Sequence, residues 1–343
     1  MPVLPLDLPT ASASGIGSLP GTEPLEAAPL PMTLLPGLPY LPELPARGPG
    51  ADMIGRAFGI LAELYVTLAP SGWRFAEHAG RDHSRARGYL HQDLDALEER
   101  GQAYEGLIKV QVAGPWTLAA TVELHYGDKA LADRGACRDI AASLAEGLRE
   151  HVADVRKRLP LSTGVVVQLD EPALPGVLDG TVRTASGFGT LRAVEANDAE
   201  ATLRSVVEAL AADGVPVVVH CCAGRAPVGV LRRAGFAGLA LDFGLLPQVA
   251  DDEIGELMES GGVLLAGLVP SLDQRAGLSP LADTVAPVAE LWNRLGLPAA
   301  LLARVVPVPT CGLAGASPAY ARAATQRCAD AARTLADLAD GGE

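Results

Sequence analysis

Aromatic residues are scarce in this 343-residue chain, with Phe, Trp and Tyr together at 4%. A core of stacked rings is excluded, so Ala, Leu, Val and Gly must do the packing, which suits interdigitating helices and parallel strands. Basic residues are in deficit. Lys and Arg number 27 against 41 Asp and Glu, a net charge of −14. The cationic footprint of a nucleic-acid binder is missing. No apolar run reaches the ~18 residues of a membrane span, so neither nucleic acid nor membrane is expected as a partner. Cysteines are few and odd in number, five in all, which argues against a disulfide framework. Met1-Pro-Val-Leu-Pro-Leu-Asp7 has no basic segment leading into an apolar core, so the expected location is cytoplasmic.

What the chain does have is a regular alternation of strands and helices. Hydrophobic residues make up 49%, enough for a full core. Residues 1–14 are Pro-rich and read as an irregular N-terminal arm, with the catalytic unit over 15–343. Short strands are expected at Gly15–Ser18 and near Tyr40–Leu44, and a helix over Ala51–Leu68. Further strands read as Leu107–Val112, Val165–Leu169, Val215–Val219, Leu239–Leu241, Val263–Leu268 and Leu302–Val308. Helices separate them, about 128–158, 198–213, 227–234, 251–260 and 280–295, and a last one runs over 317–339. Such alternation implies parallel pairing with both faces covered. A count of eight strands favours an α/β fold, a single (β/α)8 TIM barrel with an N-terminal extension, over an open doubly wound sheet.

Polar residues collect at strand C-termini, the rim where function gathers in such a barrel. Val215-Pro-Val-Val-Val-His220-Cys221-Cys222 is a buried-type strand ending in His-x-Cys. His220 and Cys222, two apart, share a face, while Cys221 points away into packing. Asp242 ends the next strand and Cys311 follows the last. One imidazole, two thiols and a carboxylate form a four-ligand set for Zn²⁺. The plain alternative is a buried Cys pair beside a hydrogen-bonded core histidine. Such an electron-rich site suits activation of a substrate thiol rather than of water.

Asp170, in Asp170-Glu171-Pro172, is placed to pair with a substrate ammonium, and Glu43 is a second partner for it. Ile16-Gly17-Ser18 offers N–H groups and a hydroxyl to a substrate carboxylate. His78, His83 and His91 lie in a polar stretch that reads as solvated surface. Trp116, after Gly114-Pro115, either stacks on a flat donor or caps the core.

These residues resemble the catalytic barrel of the cobalamin-independent methionine synthase family. Ile16-Gly17-Ser18, Gly114-Pro115 with Thr117, Asp170-Glu-Pro-Ala-Leu174, His220-Cys-Cys222 and Cys311-Gly-Leu313 stand in that family's order along the chain. The resemblance implies a zinc-dependent transfer of a methyl group to the thiol of homocysteine, forming methionine. It implies His220, Cys222 and Cys311 as ligands, Asp170 on the homocysteine amine, and Ile16 and Ser18 at its carboxylate. Asp242 stands nearest the family's usual Glu ligand. The departures fall on the donor side: Pro175-Gly176 follows the Asp-Glu-Pro-Ala-Leu run, and Leu268-Val-Pro-Ser-Leu-Asp273 lacks the family's histidine. The donor is therefore methyltetrahydrofolate held differently, or a methyl-corrinoid, free or carried by a partner protein. The alternatives are a corrinoid-dependent methyltransferase for another small thiol, and a metal-free decarboxylase-like or binding barrel.

Overall fold

The computed structural model describes residues 4–341; the first three residues of the expected arm lie outside that range. The elements run α1 (Pro24–Ala27), α2 (Pro29–Leu34), α3 (Met53–Ala57), β1 (Tyr65–Ala69), β2 (Gly72–Ala76), α4 (Arg81–Gly101), β3 (Leu107–Ala113), α5 (Pro115–Thr121), α6 (Arg134–Arg158) and β4 (Gly164–Asp170). They continue α7 (Leu174–Asp179), α8 (Ala196–Ala211), β5 (Val217–Cys221), α9 (Val228–Arg233), β6 (Gly238–Asp242), α10 (Asp251–Glu259), β7 (Val263–Val269), α11 (Leu281–Leu295), β8 (Val305–Pro309) and α12 (Pro318–Asp340). None of the helices described is long and apolar enough to cross a membrane.

β3 to β8 form one parallel sheet in sequence order. Its strands are Val-rich because β-branched side chains fit a pleated, buried surface. The helices between them cover the outer face, where a single apolar cluster joins Val165, Val167, Val217, Val219 and Cys221 to Ile140, Leu203 and Leu231. Residues on the other parity form a second cluster inside the curl, Val166, Val218, Leu265 and Val306 among them. Leu6 and Ile16 belong to the inner cluster, so the N-terminal arm packs into the curl rather than trailing from it. Register places Ala113 beside Asp170 and Asp170 beside His220.

The expected eight-stranded ladder is not formed; six strands are. The two N-terminal segments expected as strands lie across the gap between the sheet's edges. Ser14 N donates to Pro307 O at 3.2 Å, Leu19 N to Glu43 O at 2.9 Å, and Leu41 N to Lys109 O at 2.9 Å. They make only isolated bridges, Ser18 to Glu43 and Tyr40 to Lys109. The cause is proline: Pro39, Pro42 and Pro45 have no N–H to give a continuous ladder.

The expected helix over Ala51–Leu68 is a second correction. Only Met53–Ala57 is helical, and Tyr65–Ala69 pairs antiparallel with Gly72–Ala76. Gly55 and Gly59 weaken a helix here, and a Cβ on Gly55 would lie 2.5 Å from the Trp73 ring. Tyr65-Val66-Thr67 favours a strand. The polar stretch after it is also more structured than expected: α4 fills it, and His83 is buried edge-on to Tyr65, ring centroids 5.2 Å apart.

Candidate functional site

β5 alternates strictly. Val217, Val219 and Cys221 enter the outer core, while Val218 and His220 face inside the curl. Cys222 continues the inner parity one step beyond the strand. Cys311 comes to it from the loop after β8, with the two Sγ atoms 3.3 Å apart. That loop is fastened to the N-terminal segment: Leu313 N donates to Ser18 O at 2.8 Å. A Cβ on Gly312 would sit 2.1 Å from Ser18 Oγ, so a larger residue there would force the serine hydroxyl to turn away.

His220, Cys222 and Cys311 each offer one ligand atom, and these atoms all lie within 4.8 Å of one another. The His220 ring is oriented by Nδ1, 3.3 Å from Ala240 O. Its Nε2 is buried with no hydrogen-bond partner among the described residues. An imidazole held by a carbonyl through one nitrogen, with the other left free, is how metal-ligating histidines are fixed. The two thiols are within hydrogen-bond distance of each other. The Cys222 thiol above all, and then the His220 imidazole beside it, pull Cys311 down to about 4, while Cys222 goes up. Asp242 ends β6 at the same rim but stands outside the three-residue group. Its Oδ1 accepts from Gly244 N at 2.8 Å, and burial raises its carboxyl.

Below the sulfurs is a polar chamber that the sequence reading found only in part. Asp170 is 6% exposed, and burial pushes its carboxyl up to about 7, opposed by His220, Gln168 and Lys109. Its Oδ1 accepts from Gln168 Nε2 at 2.7 Å. Glu43, expected as a second partner of the substrate ammonium, is buried and lies 3.4 Å from Arg56 Nε. Burial raises its carboxyl, and Arg56 is the main opposing charge. Arg56 also pairs with Asp93. Lys109 is wholly buried; burial brings its ammonium down to about 8 against the pull of Asp170 and Glu43. Lys109, Gln111 and Gln168 were missed. The sequence carried a partial signal: Lys109 and Gln111, two apart in the otherwise apolar Leu107–Ala113, share one face of the strand.

Ile16 and Ser18 serve the frame of this chamber. The Ile16 carbonyl accepts from Lys109 Nζ at 3.2 Å and from Gln168 Nε2 at 2.8 Å. Gly17 has φ +153°, and a Cβ there would meet Gln111 Cγ at 2.7 Å. Glu171 faces the opposite way from Asp170. It accepts from Trp116 N at 2.9 Å, Thr117 N at 2.8 Å and Thr117 Oγ1 at 2.8 Å. It thus satisfies the orphan donors at the start of α5 from a neighbouring strand. Trp116 caps the core, its indole N–H on Ala199 O at 3.1 Å. His78 and His91 are exposed, and neither they nor His83 joins the group.

No family model and no curated protein sequence matches this chain. Its fold is similar to the structure of a B12-independent methionine synthase from Shewanella sp. W3-18-1 in complex with selenomethionine. The TM-score is 0.60 at 13% identity, over 96% of this chain and 98% of that one. A 2,3-dimethylmalate lyase gives TM-score 0.39 at 12% identity over 87% and 77%. An IOLI protein with a bound zinc atom gives 0.38 at 13% over 76% and 86%.

Proposed function

We propose that this chain is a zinc-dependent methyltransferase that moves a methyl group to the thiol of homocysteine, forming methionine. One observation carries the reading: an imidazole nitrogen with no partner among the described residues, its ring oriented by a carbonyl, stands beside two thiols 3.3 Å apart on the strand next to the buried Asp170. The donor set fits Zn²⁺. Two sulfurs on a tetrahedral Zn²⁺ with bonds of ~2.3 Å stand about 3.8 Å apart, so a thiol pair at 3.3 Å needs to open only slightly. His220, Cys222 and Cys311 would hold the ion, with Asp242 as the fourth ligand at the same rim. When bound, Zn²⁺ supplies acidity to the acceptor thiol and fixes its sulfur.

The chain's own residues do the rest. Asp170 and Glu43 receive the substrate ammonium inside the curl. The segment Ile16–Ser18 lies against the Cys311 loop and takes the carboxylate end. Burial strengthens both contacts by excluding water. The sulfur then stands at the open mouth, in line with a donor arriving from outside. The thiol proton is lost to solvent, and the S–C bond forms as the donor–C bond breaks, the donor keeping that bond's electron pair. Holding the pair in this way is worth on the order of 7–11 kcal/mol of the barrier. The two N-terminal segments complete a barrel around the chamber. The donor is methyltetrahydrofolate or a methyl-corrinoid, and the site belongs in the cytoplasm, where thiols stay reduced.

The test is transfer to homocysteine by zinc-loaded protein, with methylcobalamin and methyltetrahydrofolate as donors. Methionine formation from one donor, lost in Asp170→Asn at unchanged zinc content, is the expected result. Purified protein with no stoichiometric zinc would instead favour a metal-free barrel. Equal transfer to thiols without an amine would favour another acceptor.

A further inference from the structure

Lys109 Nζ donates to Gln168 Oε1 at 2.7 Å, Ile16 O at 3.2 Å and Gln111 Oε1 at 3.3 Å. An ammonium has three donors and no acceptor, so all of its capacity is used. The same rule fixes both glutamines. Each must turn its carbonyl end toward Lys109, which sends each NH₂ group away. Gln111 Nε2 goes to Leu41 O. Gln168 Nε2 goes to Ile16 O and to Asp170 Oδ1. The Tyr40 ring packs on the far side, its centroid 5.3 Å from Nζ. A Cβ on Gly15 would lie 2.3 Å from that ring, so the arrangement has no slack. Asp170 Oδ2 has no protein donor among the described residues.

We propose that Lys109 is a positioning residue that makes the chamber selective for thiols bearing an amine. It locks Gln168 so that one oxygen of Asp170 is held and the other is left for a substrate ammonium. This rests on the reading of Asp170 as the ammonium's partner. Lys109 itself is sealed beneath Ile16, Gln111 and Gln168 and acts through them. A purely structural lysine would weaken every ligand alike; a lysine acting through Asp170 discriminates between ligands.

Calorimetry on zinc-loaded protein tests this with two thiols, homocysteine and γ-mercaptobutyrate, which keeps the thiol and carboxylate but lacks the amine. In Lys109→Met, affinity for homocysteine falls about tenfold or more, the scale of one charge-assisted contact. Affinity for γ-mercaptobutyrate moves by less than about twofold. Gln168→Met, which leaves Lys109 in place, gives the same selective loss and decides the matter if Lys109→Met does not fold. Parallel losses for both thiols, or no loss, overturn the proposal. If wild-type protein transfers methyl to homocysteine yet these variants keep its preference, only the role of Lys109 falls. If wild-type protein binds neither thiol, the functional reading falls first and takes this one with it.

Discussion

Cys221 and Cys222 are neighbours in sequence, yet the structure gives them opposite fates, and that contrast yields a decisive test. Cys222 faces Cys311 and His220, while Cys221 sits 1% exposed in the outer apolar core. Metal affinity at a four-ligand zinc site amounts to roughly 10–16 kcal/mol. Divided over four ligands, a thiolate is worth ~3 kcal/mol, or a loss of about a hundredfold when replaced. Cys222→Ser therefore weakens zinc by about that factor with little change in stability, since the side chain is only half-buried. Cys221→Ala does the reverse. It removes one packed atom, costs ~1 kcal/mol of stability, and leaves zinc affinity alone. Competition against a chromophoric chelator reads the first quantity, and chemical denaturation the second. Cys222→Ser with wild-type zinc affinity, or equal zinc loss in both variants, would refute the assignment of faces and the metal centre with it.

Two further outcomes follow from the same geometry. Glu171→Ala strands three buried donors at the head of α5, a cost of ~3–5 kcal/mol. In a chain of this length that lowers Tm by about 5 °C; an unchanged Tm would show that the α5 cap is dispensable. In metal-free protein Cys311, pulled down to about 4, stays a thiolate well below the ordinary thiol range. Its alkylation by iodoacetamide should persist down to about pH 5 and vanish in Cys311→Ser. Cys137 and Cys221, pushed by burial up to about 11 and about 12, stay unmodified. Mass spectrometry that finds Cys137 or Cys221 labelled first would overturn this order.

Much of the α/β pattern was legible because period and composition agreed. The six parallel strands were read from Val-rich runs between amphipathic helices, and each is present, with ends shifted by a few residues. The misses have local causes. Tyr40–Leu44 looked like a strand by its apolar content, but Pro42 within it and Pro39 and Pro45 at its two ends remove donors a ladder needs. Ala51–Leu68 had helical spacing, yet Gly55 and Gly59 allowed the chain to leave the helix and Tyr65–Thr67 paired with a partner eleven or fewer residues on. At the site, residue types with few plain roles in a core, such as His220 and the thiols, stood out. Lys109 and the two glutamines did not, because a buried lysine is recognisable only once its acceptors are known. Two of the three, Gln168 and the Ile16 carbonyl, lie 59 and 93 residues away.

The adjacent acids Asp170 and Glu171 show why position on the strand, rather than residue type, divides frame from site. Burial pushes both carboxyls up to about 7, so desolvation does not distinguish them. Parity does. Glu171 points outward, where the first turn of α5 supplies three donors that it alone can satisfy. Gly114 leaves room for it: a Cβ there would lie 2.4 Å from Glu171 Oε1. Asp170 points inward, where one glutamine amide is the only protein donor among the described residues. A fully satisfied buried acid is a fastener. Asp170 keeps one oxygen without a protein donor among the described residues, which is what the proposed role as partner of a substrate ammonium requires. The same strand end therefore fastens the α5 loop on one face and carries the proposed ligand contact on the other.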